Sequence, residues 1–130
     1  MPENQVTLMA TILIIEDETH LRRDIGELLG FSGFSTLEAE DGRAGIQLAE
    51  AHMPDLILCD ITMPGMDGLQ VLEHLHANPQ TAGIPFVFLT ARAEGDLRGV
   101  LKRAGASDYL AKPFTLDQLH SVIERNLKPS

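Results

Sequence analysis

Four apolar runs in this chain each end in a group able to do polar chemistry. Leu56-Ile57-Leu58-Cys59 leads into Asp60, Thr11-Ile12-Leu13-Ile14-Ile15 into the pair Glu16-Asp17, Phe86-Val87-Phe88-Leu89 into Thr90, and Tyr109-Leu110-Ala111 into Lys112. Gathered in one place, three carboxylates repel one another and raise one another's pKa unless positive charge lies between them. A divalent cation meets that need. Oxygen ligands at a site open to water suit Mg²⁺, which keeps several waters and takes one or two carboxylates with a phosphate oxygen. Mn²⁺ should substitute, whereas Zn²⁺ lacks the His and Cys ligands it prefers. With the charge neutralised, a carboxylate can attack phosphorus and form an acyl phosphate. The Thr90 hydroxyl and the Lys112 ammonium are then donors for the oxygens of the transferred group.

The elements that must position these groups follow from the same runs. A continuous apolar run reads as a parallel strand buried on both faces, and the polar residue that ends it lies at the sheet's carboxyl edge, where open α/β sheets bind ligands. Such runs alternate here with segments of helical period, the pattern of a parallel sheet with helices on both faces. The first helix is marked by Leu21, Ile25, Leu28 and Leu29 and ends near Gly30 or Gly33. A second strand, Ser35 to Ala39, precedes a helix from Gly42 to Ala51 with Asp41 as its N-cap. The third helix carries Leu69, Leu72 and Leu75, and the loop Asn78 to Pro85 leads into the fourth strand. In the fourth helix Leu97, Val100, Leu101 and Ala104 form one apolar stripe, ended by Gly105. The fifth strand is Asp108 to Ala111. Beyond Pro113, Thr115 and Gln118 fit a capping box for a last helix that buries Leu116, Leu119, Ile123 and Leu127.

The chain has 130 residues with 44% apolar and 22% charged side chains, enough for one domain with a real core. We read residues 1–10 as an N-terminal extension, 11–127 as the domain and 128–130 as a C-terminal tail. A formal charge of −9 argues against direct nucleic-acid binding, which needs clustered Lys and Arg on the phosphates. The charge is uneven: residues 1 to 89 hold 14 acidic and 3 basic side chains, and residues 90 to 130 hold 5 and 7. Arg98, Lys102 and Arg103 therefore mark either a locally basic docking face or a solvated surface. Cys59, the one cysteine, lies inside an apolar run and reads as a buried, inert thiol. No apolar stretch approaches the roughly 20 residues of a membrane span, and Met1 to Ala10 lack a signal peptide's regions, so a cytoplasmic protein without membrane contact is expected. His20 falls near the acidic rim, while His52, His74, His76 and His120 read as surface residues.

Four segments in order, Ile15-Glu16-Asp17-Glu18, Asp60-Ile61-Thr62-Met63-Pro64-Gly65-Met66-Asp67-Gly68, Leu89-Thr90-Ala91 and Gly105-Ala106-Ser107-Asp108-Tyr109-Leu110-Ala111-Lys112-Pro113-Phe114, give the chain its resemblance to the response-regulator receiver domains of bacterial two-component signalling. The resemblance covers residues 11 to 127. It implies a three-layer, flavodoxin-like (βα)5 fold with a five-stranded parallel sheet of order 2-1-3-4-5, for which receiver domains are a standing example. It further implies that Asp60 is the phosphoacceptor for a sensor histidine kinase or phosphotransfer protein. Glu16, Asp17, Asp60 and the backbone carbonyl of Thr62 would be the metal ligands. Thr90 and Lys112 match the family's phosphate-binding hydroxyl and ammonium, and Tyr109 the aromatic that turns inward when the hydroxyl moves. That movement would reshape the surface of helix four, strand five and helix five, for a downstream protein target the sequence does not name, in a monomer or a weak phosphorylation-dependent dimer. The Lys112-Pro113 peptide would be cis. Glu16 stands where many members have Asp, which leaves its direct contact with the metal open. Thr62 and Arg92 occupy the positions that tune hydrolysis.

Three rivals differ at particular residues. A hydrolase working through an aspartyl phosphate wants a second acid two residues after its nucleophile, and Thr62 stands there. A flavin module needs an anion-cradling first loop, and Glu16-Asp17-Glu18 would repel the phosphate. A degenerate receiver used only for docking is opposed by the intact Asp60, Thr90 and Lys112. The expected role is thus a signalling domain that catalyses its own phosphorylation and dephosphorylation, not a metabolic enzyme.

Overall fold

Strands of four or five residues supply the centre of the molecule, and the three middle ones, Thr11–Ile15, Leu56–Asp60 and Phe86–Thr90, are nearly unbroken apolar runs. In this computed structural model, residues 10–91 and 97–127 are described. Arg92, the Leu97 and Arg98 side chains, the tail and nearly all of the N-terminal extension lie outside the described residues. Ala10, assigned above to that extension, is buried, and its carbonyl accepts the Ser35 N–H at 3.0 Å.

The elements are β1 (Thr11–Ile15), α1 (Thr19–Phe31), β2 (Ser35–Ala39), α2 (Gly42–His52), β3 (Leu56–Asp60), α3 (Gly68–Ala77), β4 (Phe86–Thr90), α4 (Leu97–Ala104), β5 (Asp108–Ala111) and α5 (Leu116–Asn126). The five strands form one parallel sheet of order β2-β1-β3-β4-β5, as the resemblance implied. Side chains alternate across it with period two. Ile12, Ile14, Leu56, Leu58, Val87, Leu89 and Leu110 face Ile25 and Leu29 of α1 and Leu119, Val122 and Ile123 of α5. Leu13, Ile15, Ile57, Cys59, Phe86 and Phe88 face α2, α3 and Leu101 of α4. These are the three layers. Phe86 and Phe88 are fully buried and meet edge to face with centroids 5.0 Å apart, a geometry worth about 0.5–1.5 kcal/mol beyond the burial itself.

Caps set where the helices start. Asp41 accepts the Ala44 N–H at 2.8 Å, and Asp67–Gln70 and Thr115–Gln118 are both complete capping boxes. Gly105, at φ +100°, ends α4 in a left-handed conformation that a side chain would strain, and the His76 ring packs against it.

Several expected burials do not hold. Leu116 is exposed, and Val122 fills the core in its place. As the first residue of α5, Leu116 sits at a helix end with no facing layer. Leu28, Val100 and Ala104 are also exposed, because short helices on a sheet bury a narrower stripe than the sequence period suggests. α1 ends at Phe31 with Ser32 as its C-cap. His120 is half-buried: its Nε2 lies 2.6 Å from Ser32 Oγ and its ring meets Phe34 edge-on.

At the start of β5, Asp108 accepts hydrogen bonds from Arg125 Nε at 2.7 Å and Asn126 Nδ2 at 2.9 Å through Oδ2, and from the Tyr109 N–H at 2.9 Å through Oδ1. Burial pushes the carboxyl pKa up, but these donors outweigh it and hold the value low. An aspartate held below its unfolded value of about 3.9 stabilises the fold fully above that pH. It loses the contribution as pH falls through the folded value. Asp108→Asn should therefore flatten the acid side of the stability profile below about pH 4. Because the Arg125 side chain is 58% exposed, the loss at neutral pH should be no more than about 1 kcal/mol. Urea midpoints between pH 2.5 and 7 check this, and an unchanged acid slope contradicts it.

Candidate functional site at the carboxyl edge

Every group singled out at a strand end lies on the same rim of the sheet. Asp60 is the last residue of β3 and Thr90 the last of β4, and both are buried, at 7% and 5% exposure. Glu16 follows β1 and Lys112 follows β5. The strand ladder continues past these ends: Glu16 N–H donates to the Ala39 carbonyl at 3.0 Å, Ile61 N–H to Leu89 at 3.2 Å and Lys112 N–H to Thr90 at 2.6 Å. Side chains at the rim are thus anchored on backbone that is already fixed.

Period two also decides which way each group faces. Asp60 is in step with Leu56 and Leu58, Glu16 with Ile12 and Ile14, and Lys112 with Leu110, all on the α1/α5 side. Thr90 is in step with Phe86 and Phe88, on the α2/α3/α4 side. Accordingly Glu16, Asp60 and Lys112 meet. Lys112 Nζ lies 2.9 Å from Glu16 Oε1 and 3.4 Å from Asp60 Oδ2. The carboxylates of Glu16, Asp17 and Asp60 each offer an oxygen, and these oxygens all lie within 4.8 Å of one another. Asp17 is exposed and faces solvent at the mouth of the group.

The electrostatics follow from three acids and one ammonium. Burial pushes the Glu16 pKa up, more than the Lys112 hydrogen bond and the Glu18 N–H pull it down, and repulsion from Asp60 adds to the rise. Burial alone would lower the Lys112 pKa, but the Glu16 hydrogen bond and the Asp60 charge overcome it and hold the ammonium protonated. Burial thus dominates at Glu16 and the neighbouring acids dominate at Lys112, while by charge count the rim holds three carboxylates and one ammonium. Cys59, fully buried beside it, has its thiol pushed well up by burial and by the charges of Asp60, Glu16 and Asp67. The inert reading of that thiol fits.

The remaining groups take different places. Thr62 is exposed in the turn after Asp60, and His20 is exposed beside the acidic loop. Tyr109 is half-buried and packs against the α2/α3/α4 core. With Leu101, Lys102, Ala106, Ser107 and Asp108 it lines an open pocket of about 260 Å³ between α4 and β5. The Lys112-Pro113 peptide is cis. Reading along the sequence missed Arg22, whose guanidinium reaches the rim from α1, because a lone Arg on a helix looks like any solvated charge.

A strand order of 2-1-3-4-5 with an acid cluster and a lysine at its carboxyl edge defines a class, and comparison with known proteins gives the same one. The family described as response regulator receiver domain matches residues 12–124, and the chain belongs to it. It is a receiver domain of two-component signalling with the flavodoxin-like fold. Curated relatives include the regulatory protein AtoC of Escherichia coli, 36% identical over 95% of this chain and 26% of that protein. The transcriptional regulatory protein PdtaR of Mycobacterium tuberculosis is 40% identical over 87% of this chain and 54% of its own length. The chain thus spans about half or less of the length of these relatives. Among solved structures, the chemotaxis protein CheY4 of Vibrio cholerae superposes with a TM-score of 0.87 at 28% identity, over 92% of this chain and 99% of that one. The receiver domain of the sensor histidine kinase PA1611 of Pseudomonas aeruginosa does so with 0.83 at 32% identity, over 91% and 97%, and holds a magnesium ion coordinated in its active-site cleft. Among the described residues no helix is long and apolar enough to cross a membrane.

Proposed function

We propose that the protein is a Mg²⁺-dependent phosphorylation switch in which Asp60 takes a phosphoryl group from a sensor histidine kinase or phosphotransfer protein. The observation that carries this reading is the convergence of Glu16, Asp17 and Asp60 within 4.8 Å around a rim that one lysine leaves electrically unbalanced. That donor set fits a hard cation: it is all oxygen, its outer member is open to water, and it holds surplus negative charge. Asp17 and Asp60, with the Thr62 carbonyl, would hold the ion, and Glu16 would assist through water while keeping its bond to Lys112. The bound cation supplies charge neutralisation at the acids and at the incoming phosphoryl oxygens. Mn²⁺, with similar ligand preferences, should serve in its place.

In the transfer, an oxygen of Asp60 forms a bond to phosphorus as the bond from phosphorus to the donor's imidazole nitrogen breaks. The donor leaves, and Asp60 is an acyl phosphate. Lys112 is placed to exchange its 3.4 Å contact with Asp60 for a charge-assisted hydrogen bond to the phosphoryl group. Thr90 supplies the hydroxyl bond from the neighbouring strand. Attack by water on phosphorus later releases phosphate and restores the carboxylate.

Thr90 also links the rim to the far surface. It shares the side of the sheet on which Tyr109 packs, and β4 and β5 pair Phe88 with Tyr109 and Thr90 with Ala111. A Thr90 hydroxyl drawn toward the phosphoryl group frees room on the α4 side, and Tyr109, at the edge of an open pocket, can turn into it. Output would then pass through α4, β5 and α5 to a partner protein. The chain's −9 charge favours a protein over nucleic acid as what this domain itself contacts.

Intact mass after incubation with acetyl phosphate tests the reading. One phosphoryl group should be gained with Mg²⁺ and none with EDTA in excess. Asp17→Asn should raise the Mg²⁺ concentration for half-maximal labelling by about tenfold or more. Labelling that ignores both chelation and Asp17→Asn removes the metal from the account.

A further inference from the structure

Arg22 is the one basic side chain of α1 that is withdrawn from solvent: its side chain is 11% exposed, whereas Arg23 is exposed. Its Nη1 donates to the backbone carbonyl of Glu16 at 2.8 Å, and its Nε lies 3.5 Å from Glu38 Oε1. Glu38 stands opposite Ile14 in the β1–β2 register. Its carboxylate lies against α1 at Gly26, where a Cβ would come within 2.7 Å of Glu38 Oε2. Glu38 is exposed, and its carboxylate end lies beside α1 within reach of the guanidinium.

The bond falls where the sheet stops holding the chain. The Glu16 N–H still belongs to the ladder through Ala39, but its carbonyl faces the loop, and Arg22 takes it. Beyond that carbonyl the same peptide group turns into Asp17, the exposed acid at the mouth of the rim. The Glu16 side chain is fixed separately, Oε1 by Lys112 and Oε2 by the Glu18 N–H at 3.1 Å. With Arg22 on the carbonyl, every polar group of Glu16 has a fixed partner, and the direction in which Asp17 leaves β1 is set.

We infer that Arg22 is a positioning residue for the acidic rim, clamping the Glu16-Asp17 peptide so that the Asp17 carboxylate is held toward the cation. The inference rests on the metal reading above and extends it to a residue that touches neither the cation nor the phosphoryl group. Partners one step removed from a metal ligand typically alter affinity 10- to 100-fold. A fork with two donors suits a carbonyl and a carboxylate together, which a lysine's single ammonium serves less well.

The test is Mg²⁺ titration by calorimetry on the full chain, for wild type, Arg22→Gln, Arg22→Lys and Asp17→Asn, with the ¹H–¹⁵N spectrum of the metal-free proteins. Arg22→Gln should weaken Mg²⁺ binding about tenfold while labelling at saturating Mg²⁺ stays near wild type. Arg22→Lys should recover part of the loss, and the Asp17 amide, which shares the clamped peptide group, should shift in the metal-free spectrum of Arg22→Gln. An Arg22→Gln protein that binds Mg²⁺ as wild type does, or merely melts earlier with the Asp17 amide unmoved, overturns the positioning role and leaves the metal reading standing. Wild-type protein that binds no Mg²⁺ overturns both.

Discussion

Asp60→Asn is expected to gain no phosphoryl group under conditions that label the wild-type protein to completion. Asparagine has the shape of the aspartate, but its amide oxygen is a far weaker nucleophile and carries no charge, so the bond to phosphorus does not form. The fold should survive. Asp60 Oδ2 is held by Lys112 at 3.4 Å, the longer of that lysine's two contacts, and the 2.9 Å bond to Glu16 remains. Removing one negative charge from a rim with too many costs little, so the thermal midpoint should be unchanged or slightly higher. Neither neighbouring acid is expected to take over: Glu16 is buried with both oxygens engaged, and Asp17, exposed at the mouth of the rim, is assigned to the cation. Intact mass and peptide mapping after acetyl phosphate treatment decide it. A stoichiometric phosphoryl group on another residue of the variant would falsify the assignment of Asp60.

The second large effect is on the scaffold. A Cβ at Gly68 would overlap the Asp60 backbone carbonyl and stand 2.9 Å from the Ile61 Cα and from the Phe88 ring. Two of these three are backbone atoms and the third belongs to a fully buried ring, so none can yield cheaply. Gly68 is the first residue of α3, and its N–H donates to the Ile61 carbonyl at 2.8 Å. This close approach seats the capped helix directly on the end of β3. Gly68→Ala should cost about 2–3 kcal/mol, the upper part of the range for overpacked sites, and move the Asp60 backbone, slowing labelling as well. Gly30→Ala is the natural contrast, since nothing lies within 4 Å of a Cβ there; it should gain about 0.5–1 kcal/mol from helix propensity alone. Urea unfolding with unchanged m-values reads both. Equal stabilities for the two variants would contradict the close-packing account.

What could be read from the sequence was whatever depended on a single chain segment. The middle strands β1, β3 and β4 read directly as apolar runs, and the polar groups that end them and β5 fall on the rim, so Asp60, Glu16, Thr90 and Lys112 are legible together, whereas β2, with Ser35, Thr36 and Glu38, is no such run. Caps were legible for the same reason: Asp41 and the Thr115–Gln118 box act within one turn. Features decided by what faces a helix were not. Leu116 and Val100 carry the right period but are exposed, while Val122 joins the core on the α1/α5 side of the sheet and the half-buried His120 meets Ser32 and Phe34 beyond the end of α1. Lys112 was assigned to a phosphoryl group, and its resting partners, Glu16 and Asp60, come from residues 96 and 52 positions away. Arg22 was invisible because its partner is a backbone carbonyl, which has no signature in the sequence.

The position of Lys112 has a consequence for biosynthesis. The acids of β1 and β3 leave the ribosome long before the ammonium that balances them, since Lys112 follows the last strand. β1 meanwhile waits for β3, because Ile12 pairs with Leu56. A nascent or truncated chain therefore holds Asp60 without its counter-charge and without a completed sheet to hold it. If Asp60 takes the phosphoryl group as proposed, a chain that stops before Lys112 should not be labelled by acetyl phosphate.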